Sequence, residues 1–234
     1  MEEQVQRLVD KTWAKFQATP PDQRLLIGVS GIPGSGKTTF SKIIVNRLNG
    51  IAKQASPDSP APATFLPMDG FHLTRAQLSA MRDPDHAHAR RGAHFTFDAS
   101  KFLSIVQSLR LPLGEPIYAP SFDHAVKDPK DNDIVILPTH RIVIIEGNYV
   151  ALDKETWREA AVLLDERWFF EVDFEVARQR LRERHVRAGI AQTIEEGDKR
   201  AMENDLVNGR EIVDHLLNIN EVVKSTADES WAAT

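Results

Sequence analysis

A glycine-rich segment between an apolar run and a helical pattern carries the residue types that point most directly to chemistry. It reads Gly31-Ile32-Pro33-Gly34-Ser35-Gly36-Lys37-Thr38 and fits G-x-x-x-x-G-K-[ST] at every fixed position. Glycines let backbone N–H groups converge on phosphate oxygens, and the following helix directs its positive end at the same anion. The segment therefore predicts nucleoside triphosphate binding, with a plain glycine-rich turn as the alternative.

Two side chains of this segment, Lys37 and Thr38, have predicted roles in binding the triphosphate and its metal ion. Lys37 can reach the β- and γ-phosphates, and the Thr38 hydroxyl suits Mg²⁺, which prefers oxygen ligands. We therefore expect ATP and Mg²⁺ as cofactors. The predicted nucleotide contacts in this segment are Gly31, Pro33, Gly34, Ser35, Gly36, Lys37, Thr38 and Thr39.

Two carboxylates stand where apolar strand patterns end. Asp69 lies in "LPMDGFHLT", and Glu146 closes the run "IVIIE". A kinase needs a base or orienting carboxylate beside the acceptor hydroxyl, which is the role predicted for Asp69. Glu146 is predicted to orient Mg²⁺ or its water shell. The alternatives are that Asp69 caps a helix near Thr74 and that Glu146 is an ordinary acid after a buried strand.

Five arginines lie on one predicted helix, and three of them share a face. Positions 180, 184 and 187 have i, i+4, i+7 spacing, so they could present guanidinium groups to triphosphate oxygens as a lid over residues 174–192 closes. Arg180, Arg184 and Arg187 are the predicted contacts, and Arg184 is assigned to catalysis with Lys37 and Asp69. The alternative is a solvated face paired with acidic neighbours.

The elements that must position these residues alternate between strand and helix patterns. Alternation of this kind predicts an α/β protein with a mostly parallel sheet and helices on both faces. The glycine-rich segment adds the P-loop NTPase class to this expectation, and the arginine-bearing helix adds a helical lid. Segment 82–95 is expected to be irregular, and 115–129 to form a hairpin or an extended excursion. The strand patterns cover 25–30, 63–68, 141–146, 167–172 and 221–223, and the helical patterns 3–18, 38–48, 74–81, 99–109, 157–164, 174–188 and 194–217.

Size and composition indicate one globular domain. The chain has 234 residues, a formal charge of -5 and no cysteine, which excludes disulfides and thiolate chemistry. The acidic balance does not favour nucleic acid, and no apolar run is long enough to cross a membrane. We expect a cytoplasmic protein acting on a small molecule. Its N-terminal helix, within residues 1–20, could cover the sheet or form a homodimer contact.

Further motifs resemble those of the phosphoribulokinase/uridine kinase family, over about residues 24–225. After the glycine-rich segment come Asp69-Gly70-Phe71-His72, Arg90-Arg91-Gly92 with Thr96-Phe97-Asp98, Pro120-Ser121-Phe122-Asp123-His124, and Glu146-Gly147-Asn148-Tyr149. The resemblance implies that Asp69 is the base, that Glu146 places Mg²⁺ and that lid arginines clamp ATP. It also implies an acceptor pocket within residues 70–130 and the strand end at 146. The implied acceptor contacts are Asp69, His72, Arg91, Phe122, His124, Asn148 and Tyr149.

Departures from the family pattern bear on the acceptor. Uridine kinases read Asp-Ser-Phe-Tyr where this chain has Asp69-Gly70-Phe71-His72. Pantothenate kinases have Pro and Glu where this chain has His94 and Phe95. The sequence is therefore expected to be an ATP-dependent kinase of a small hydroxyl compound in the uridine kinase-like branch. A nucleotide-dependent switch acting through a protein partner and a degenerate kinase scaffold are the alternatives.

Several polar residues have two interpretations. His86, His88 and His94 could bind a metal or be solvated, and solvation is the expectation. His124 could contact substrate or play a structural part. Asn204 and Asn208, one turn apart, could reach the active site or lie on the helix surface, the surface being the default.

Overall fold

Seven strands form two sheets in the computed structural model, which describes residues 1–123 and 125–225. The main sheet is wholly parallel, with the order β2-β5-β1-β6-β7, while β3 and β4 form an antiparallel hairpin. The strands are β1 (Leu25–Gly31), β2 (Ala63–Pro67), β3 (Ile117–Asp123), β4 (Asp128–Ile136), β5 (Ile142–Glu146), β6 (Glu166–Glu171) and β7 (Glu221–Lys224).

Helices cover both faces of the main sheet, as the sequence predicts. In chain order they are α1 (Glu2–Ala18), α2 (Lys37–Ala55), α3 (Arg75–Ser79), α4 (Pro84–Ala89), α5 (Ala99–Arg110), α6 (Trp157–Ala161), α7 (Phe174–Arg187), α8 (Ile194–Arg200) and α9 (Leu206–Asp214). A π-helical segment, Ala201–Asp205, joins α8 to α9.

Two apolar cores lie on opposite sides of the sheet. One packs α1 and α2 against Trp168 and Phe170 of β6, and both aromatic rings are buried. The other packs α5, α6, α7 and α9 around Trp157 and Tyr149. The successive apolar residues of β5 feed both cores, which explains why that strand shows no polar alternation. Trp157, Trp168 and Phe170 are thus all buried in these two cores.

The N-terminal helix covers the sheet with its apolar face. Val5, Leu8 and Val9 are buried in the core that includes α2 and β6. On its polar side the Gln4 amide donates to the Lys224 carbonyl and accepts from the Lys224 N–H, each at 3.0 Å, and so pairs with the edge strand β7. The apolar face of α1 is therefore buried within the chain.

Three helix expectations differ from the structure. The second helix does not end at Asn49-Gly50 but runs to Ala55, because the Asn49 amide instead bonds the backbone of Ala63 at 2.9 and 3.0 Å. Segment 82–95 is not wholly irregular, since Asp83 caps α4 through the His86 N–H. The long helix expected over 194–217 is interrupted by the π segment and ends at Asp214.

Residues 70–130, predicted to form an acceptor-binding excursion, include α3 to α5, β3 and the first residues of β4. Residues 174–192, predicted to form a lid, include α7. Across residues 1–123 and 125–225, no helix is both long and apolar enough to cross a membrane.

Candidate active site

The strand order brings the predicted catalytic segments to one edge of the sheet. Strand β5 lies between β1 and β2, and Glu146 is in register with Val29 on one side and Pro67 on the other. The glycine-rich loop follows β1, and Asp69 follows β2. Because parallel strands end at the same edge, these groups converge at the position where open α/β sheets bind ligands.

The glycine-rich loop has the backbone that a phosphate cradle requires. Gly34 and Gly36 have φ values of 79° and 98°, in the left-handed region that favours glycine. A Cβ on Gly34 would lie 2.9 Å from the Ala177 carbonyl of α7, so α7 packs directly on the loop. The Ser35 hydroxyl is buried and has no hydrogen-bond partner among the described residues. Backbone and hydroxyl thus fit a bound anion.

A cavity of about 340 Å³ opens at this loop. The three arginines expected to share a face, Arg180, Arg184 and Arg187, all line it, together with Glu183. Arg180 also donates to the carbonyls of Gly34 and Ser35 at 3.4 and 3.2 Å. The helix face that carries these three arginines therefore forms a wall of the cavity. The loop residues in this wall are Gly34, Ser35, Gly36, Lys37, Thr38 and Thr39.

The remaining two loop residues predicted to contact the nucleotide lie elsewhere. A Cβ on Gly31 would stand 2.8 Å from the Phe170 carbonyl, so this glycine permits close packing of the loop on β6. Pro33 lines a second cavity, on the other side of the loop.

Glu146 is a buried carboxylate that contacts two residues of the glycine-rich loop. Its Oε2 accepts a 3.0 Å hydrogen bond from Thr38 Oγ1, and its Oε1 lies 3.8 Å from Lys37 Nζ. Burial raises the pKa of Glu146 to about 7, although Lys37 opposes this, and burial also lowers the pKa of Lys37. The hydroxyl and carboxylate oxygens are the ligands that Mg²⁺ prefers, so these two residues fit the predicted metal position.

Asp69 is exposed on a 3₁₀ turn that runs from Met68 to Phe71. It does not cap the next helix, because Thr74 caps α3 in a reciprocal pair with Gln77. Its carboxylate borders the second cavity. The helix-cap alternative for Asp69 is thus contradicted, and its placement beside a cavity is what a base for an acceptor requires.

The second cavity, of about 400 Å³, is the candidate acceptor site. Lys37, Thr38 and Arg184 border both cavities, so they stand at the junction between them. One wall is aromatic: the His72 ring lies 4.0 Å from that of Phe97 and 4.8 Å from that of Phe122, between centroids. The predicted acceptor contacts that line the cavity are Asp69, His72, Arg91, Phe122 and Asn148, along with Glu146.

Arg91 is held by its neighbours on the acceptor excursion. Its guanidinium donates to Asp128 Oδ1 and to the Leu73 carbonyl, each at 3.1 Å, and stands 5.7 Å from the Phe122 ring centroid. Arg75 bonds the same carboxylate, and although desolvation opposes it, these hydrogen bonds lower the pKa of Asp128. The network fixes the hairpin against the cavity.

Two predicted contacts have a different outcome. Tyr149 is fully buried and its hydroxyl donates to the Gly92 carbonyl at 2.7 Å, so it supports the cavity wall from behind and does not line it. Its expected direct contact with the acceptor is corrected accordingly. His124 lies outside the described residues.

Gly70 explains one departure from the family pattern. A Cβ at this position would stand 2.0 Å from the Pro120 carbonyl oxygen of β3, closer than any side chain can approach. The hairpin therefore passes directly over the turn that carries Asp69. A serine at this position requires a different path for β3.

Residues between 185 and 208 complete the acceptor cavity, and most of them belong to no motif that the sequence shows. They are His185, Ala188, Ile190, Arg200, Asp205 and Asn208. Asn204 and Asn208 are buried, which contradicts the surface default. The spacing of Asp205 and Asn208 places both on one helix face, which was the available signal. Lys127, Gly92 and Phe97 also line the cavity.

The three histidines at 86, 88 and 94 do not form a metal site. Within the described part of the chain, no group of three or more histidine, cysteine, aspartate or glutamate residues could hold a metal ion. His86 stacks on Phe95, His88 Nε2 lies 2.9 Å from Ser79 Oγ, and His94 Nδ1 lies 3.2 Å from Glu211 Oε1. Burial lowers the pKa of His94.

The fold and the site together define a P-loop kinase. The chain matches the family model of the Phosphoribulokinase / Uridine kinase family over residues 26–203, and it belongs to this family. It is 48% identical over 159 residues to the ATP-dependent kinase-like protein notR' of Aspergillus versicolor, which covers 67% of this chain and 92% of that protein.

A yeast kinase is similar in sequence and in structure. ATP-dependent kinase YFH7 of Saccharomyces cerevisiae is 33% identical over 241 residues, covering 89% of this chain and 68% of the yeast protein. The crystal structure of YFH7 superposes with a TM-score of 0.83 at 24% identity, over 96% of this chain and 99% of that chain. The superposition shows that the two share a fold.

Proposed function

We propose that the protein transfers the γ-phosphoryl group of ATP to a hydroxyl group of a small metabolite. The observation that carries the proposal is the junction of the two cavities, where Lys37, Thr38 and Arg184 border both and Asp69 borders the acceptor side. A triphosphate in the first cavity would have its outermost group at this junction. An acceptor in the second would meet it there.

The roles of the side chains follow from their positions. Asp69 orients the acceptor hydroxyl and takes its proton as the bond to phosphorus forms. Lys37 and Arg184 neutralise the charge that spreads over the phosphoryl oxygens during transfer, and positioning with electrostatic stabilisation supplies most of the acceleration. The transferred group leaves ADP and yields a phosphate ester of the metabolite.

A magnesium ion fits the polar groups on the loop side of the junction. Thr38 Oγ1 and Glu146 Oε2 would hold it directly or through water. When bound, the ion would supply positive charge that offsets the charge of the triphosphate. Mg²⁺ takes few protein ligands and keeps waters and phosphates, so two oxygen groups are enough.

Acceptor-dependent turnover tests the proposal. ADP release is measured with ATP and Mg²⁺ alone and then with added nucleosides, pantothenate, sugars and sugar phosphates. A kinase shows slow ATP loss alone and a marked rise with the right hydroxyl compound. Turnover that never responds to a metabolite would contradict the proposal and favour a nucleotide-dependent switch.

The variant Asp69→Asn tests the assigned base. It should lower turnover about 10²- to 10⁴-fold, the range typical of a general base, with little change in ATP affinity. Asp131→Asn is the matched control, because Asp131 is exposed on the hairpin and bonds Lys101 away from both cavities. Unchanged turnover in Asp69→Asn would contradict the assignment of Asp69 as the base.

A further inference from the structure

Two polar side chains on the last helical stretch lie in the wall of the acceptor cavity. Asp205 ends the π segment and Asn208 lies in the first turn of α9, so they are three positions apart and share a face. Both line the acceptor cavity. A π turn within a helix often marks a functional site because it changes the direction of the side chains that follow.

The Asn208 amide can only donate to the cavity. Its Oδ1 accepts a 2.6 Å hydrogen bond from Arg90 Nη2, and a guanidinium has no acceptor, so the oxygen must face the arginine. Its Nδ2 then faces Gly92, whose added Cβ would stand 3.9 Å from it. Gly92 lines the same cavity, and Nδ2 has no hydrogen-bond partner among the described residues.

Asn204 provides the contrast within the same helix. Its Oδ1 accepts from Arg90 Nε and its Nδ2 donates to the Arg91 carbonyl, each at 3.0 Å. Both ends of this amide are therefore satisfied within the chain. The matching donor of Asn208 is the one left for a ligand.

The Asp205 carboxylate can only accept. Its Oδ2 is 2.9 Å from Nε2 of His185, a buried residue of α7, and Oδ1 has no hydrogen-bond partner among the described residues. The aspartate is thus held in one orientation by a buried neighbour that lines the same cavity. Its side chain keeps 14% of its surface exposed.

A donor beside a fixed carboxylate selects hydroxyl groups. A hydroxyl can donate to Asp205 and accept from Asn208, so one hydroxyl or a pair of hydroxyls satisfies both residues. A carboxylate or phosphate group of a ligand would satisfy Asn208 but would be repelled by Asp205. An apolar group would leave both polar side chains unpaired, which is costly in a desolvated site.

Resting on the proposed function, we propose that Asp205 and Asn208 recognise hydroxyl groups of the acceptor other than the one that is phosphorylated. The acceptor is then a polyhydroxylated compound, a sugar or a sugar-bearing molecule. His185 follows Arg184 on α7, so the bond from His185 to Asp205 joins the recognition residues to the helix that carries the junction arginine. His185 and Arg90 act as positioning residues.

Binding measurements separate this proposal from the kinase activity. The full chain, saturated with Mg²⁺ and a non-hydrolysable ATP analogue, is titrated calorimetrically with matched pairs. The pairs are D-ribose and 2-deoxy-D-ribose, D-glucose and 2-deoxy-D-glucose, and uridine and 2′-deoxyuridine. Inorganic phosphate and propionate serve as anionic probes. At least one polyol should bind about 10-fold or more tightly than its deoxy partner.

Two variants test the assigned residues. Asn208→Asp keeps an oxygen for Arg90 but replaces the donor by a second oxygen, and Asp205→Asn keeps a polar contact to His185 but loses the charge. Each should weaken binding of the preferred polyol about 10-fold or more and reduce the preference over its deoxy partner. Glu203→Gln is the matched control, because Glu203 is exposed on the same segment and does not line the cavity.

The outcomes are distinct. Failure of every polyol to bind, tightest binding of an anionic probe, or unchanged polyol binding in both variants would overturn the recognition role. If the variants do not fold, the comparison of polyol and deoxy partner on the unaltered protein still decides. A polyol that binds through these residues yet never stimulates ADP release would contradict the kinase proposal alone.

Discussion

Thr38 Oγ1 donates a 3.0 Å hydrogen bond to Glu146 Oε2, across the gap between the glycine-rich loop and β5. Lys37 Nζ lies 3.8 Å from the other oxygen of the same carboxylate. Thr38 is the proposed Mg²⁺ ligand and Lys37 the proposed triphosphate contact. Both therefore pair with one buried carboxylate, that of Glu146. Four predictions follow from this arrangement and its surroundings.

Burial of Glu146 makes the stability of the nucleotide-free protein depend on pH. Its pKa rises from 4.5 to about 7, so the unfolded chain loses this proton at lower pH than the folded protein does. Stability should therefore fall as pH rises from about 4.5 to about 7, by an amount on the order of 3 kcal/mol. Glu146→Gln should remove this dependence, because the amide does not titrate.

Urea unfolding at about pH 5 and pH 8 measures this effect. The difference between the two pH values should shrink in Glu146→Gln, while Glu203→Gln, altered at an exposed site, should keep it. An unchanged difference between the two pH values in Glu146→Gln would show that Glu146 is not its source. Acceptor-stimulated turnover should fall in the same variant.

Arg184 and Arg187 should differ in kinetic effect because of where they lie. Arg184 borders both cavities, whereas Arg187 lines only the one at the loop. Arg184→Ala should lower kcat about 100-fold or more, as expected for a group that stabilises transition-state charge. Arg187→Ala should mainly raise the KM for ATP. Steady-state kinetics measure both, and equal effects of the two changes would contradict the assignment.

Gly70 is expected to tolerate no side chain. In Gly70→Ala, the new Cβ would meet the Pro120 carbonyl at 2.0 Å, which must displace the hairpin at a cost of about 1–3 kcal/mol. ATP affinity should persist while acceptor-stimulated turnover falls. Gly50→Ala is the matched control, since nothing lies within 4 Å of a Cβ there and the residue is inside α2. This control should stabilise the protein by about 0.5–1 kcal/mol. Thermal unfolding compares them, and a silent Gly70→Ala would refute the close approach.

Tyr149 should affect stability more than acceptor affinity. Tyr149→Phe removes the hydrogen bond to the buried Gly92 carbonyl, which should cost about 1 kcal/mol of unfolding free energy. Because the ring does not line the cavity, the KM for the acceptor should change less than about 3-fold. Denaturant unfolding and kinetics provide the two readouts. Intact stability with a large loss of acceptor affinity would instead indicate that Tyr149 contacts the acceptor directly.

The sequence predicts best what is local. The glycine-rich loop, the carboxylates after β2 and β5, and the arginine face of α7 are each encoded within a few neighbouring residues. The α/β class follows from alternating periodicity in the same way. Asp83-Pro84, a capping residue followed by proline, is also a local signal, and it indicates α4 within the segment that is expected to be irregular.

What could not be predicted depends on contacts between distant segments. Helix α2 continues past Asn49 because that amide bonds Ala63 of another element. Asn208 is buried because Arg90, more than a hundred positions earlier, takes its oxygen. The π segment leaves no periodic signature, since one extra residue in a turn changes the register only from that point on.

The pairing of Gln4 with Lys224 has a consequence for self-association. The Gln4 amide takes up the backbone donor and acceptor that an incoming strand would need at that point of β7, as a covering group does on a protected sheet edge. Two copies can pair their β7 strands at that point only if the Gln4 side chain is displaced. A dimer formed through the edge of β7 would therefore have to give up these two hydrogen bonds.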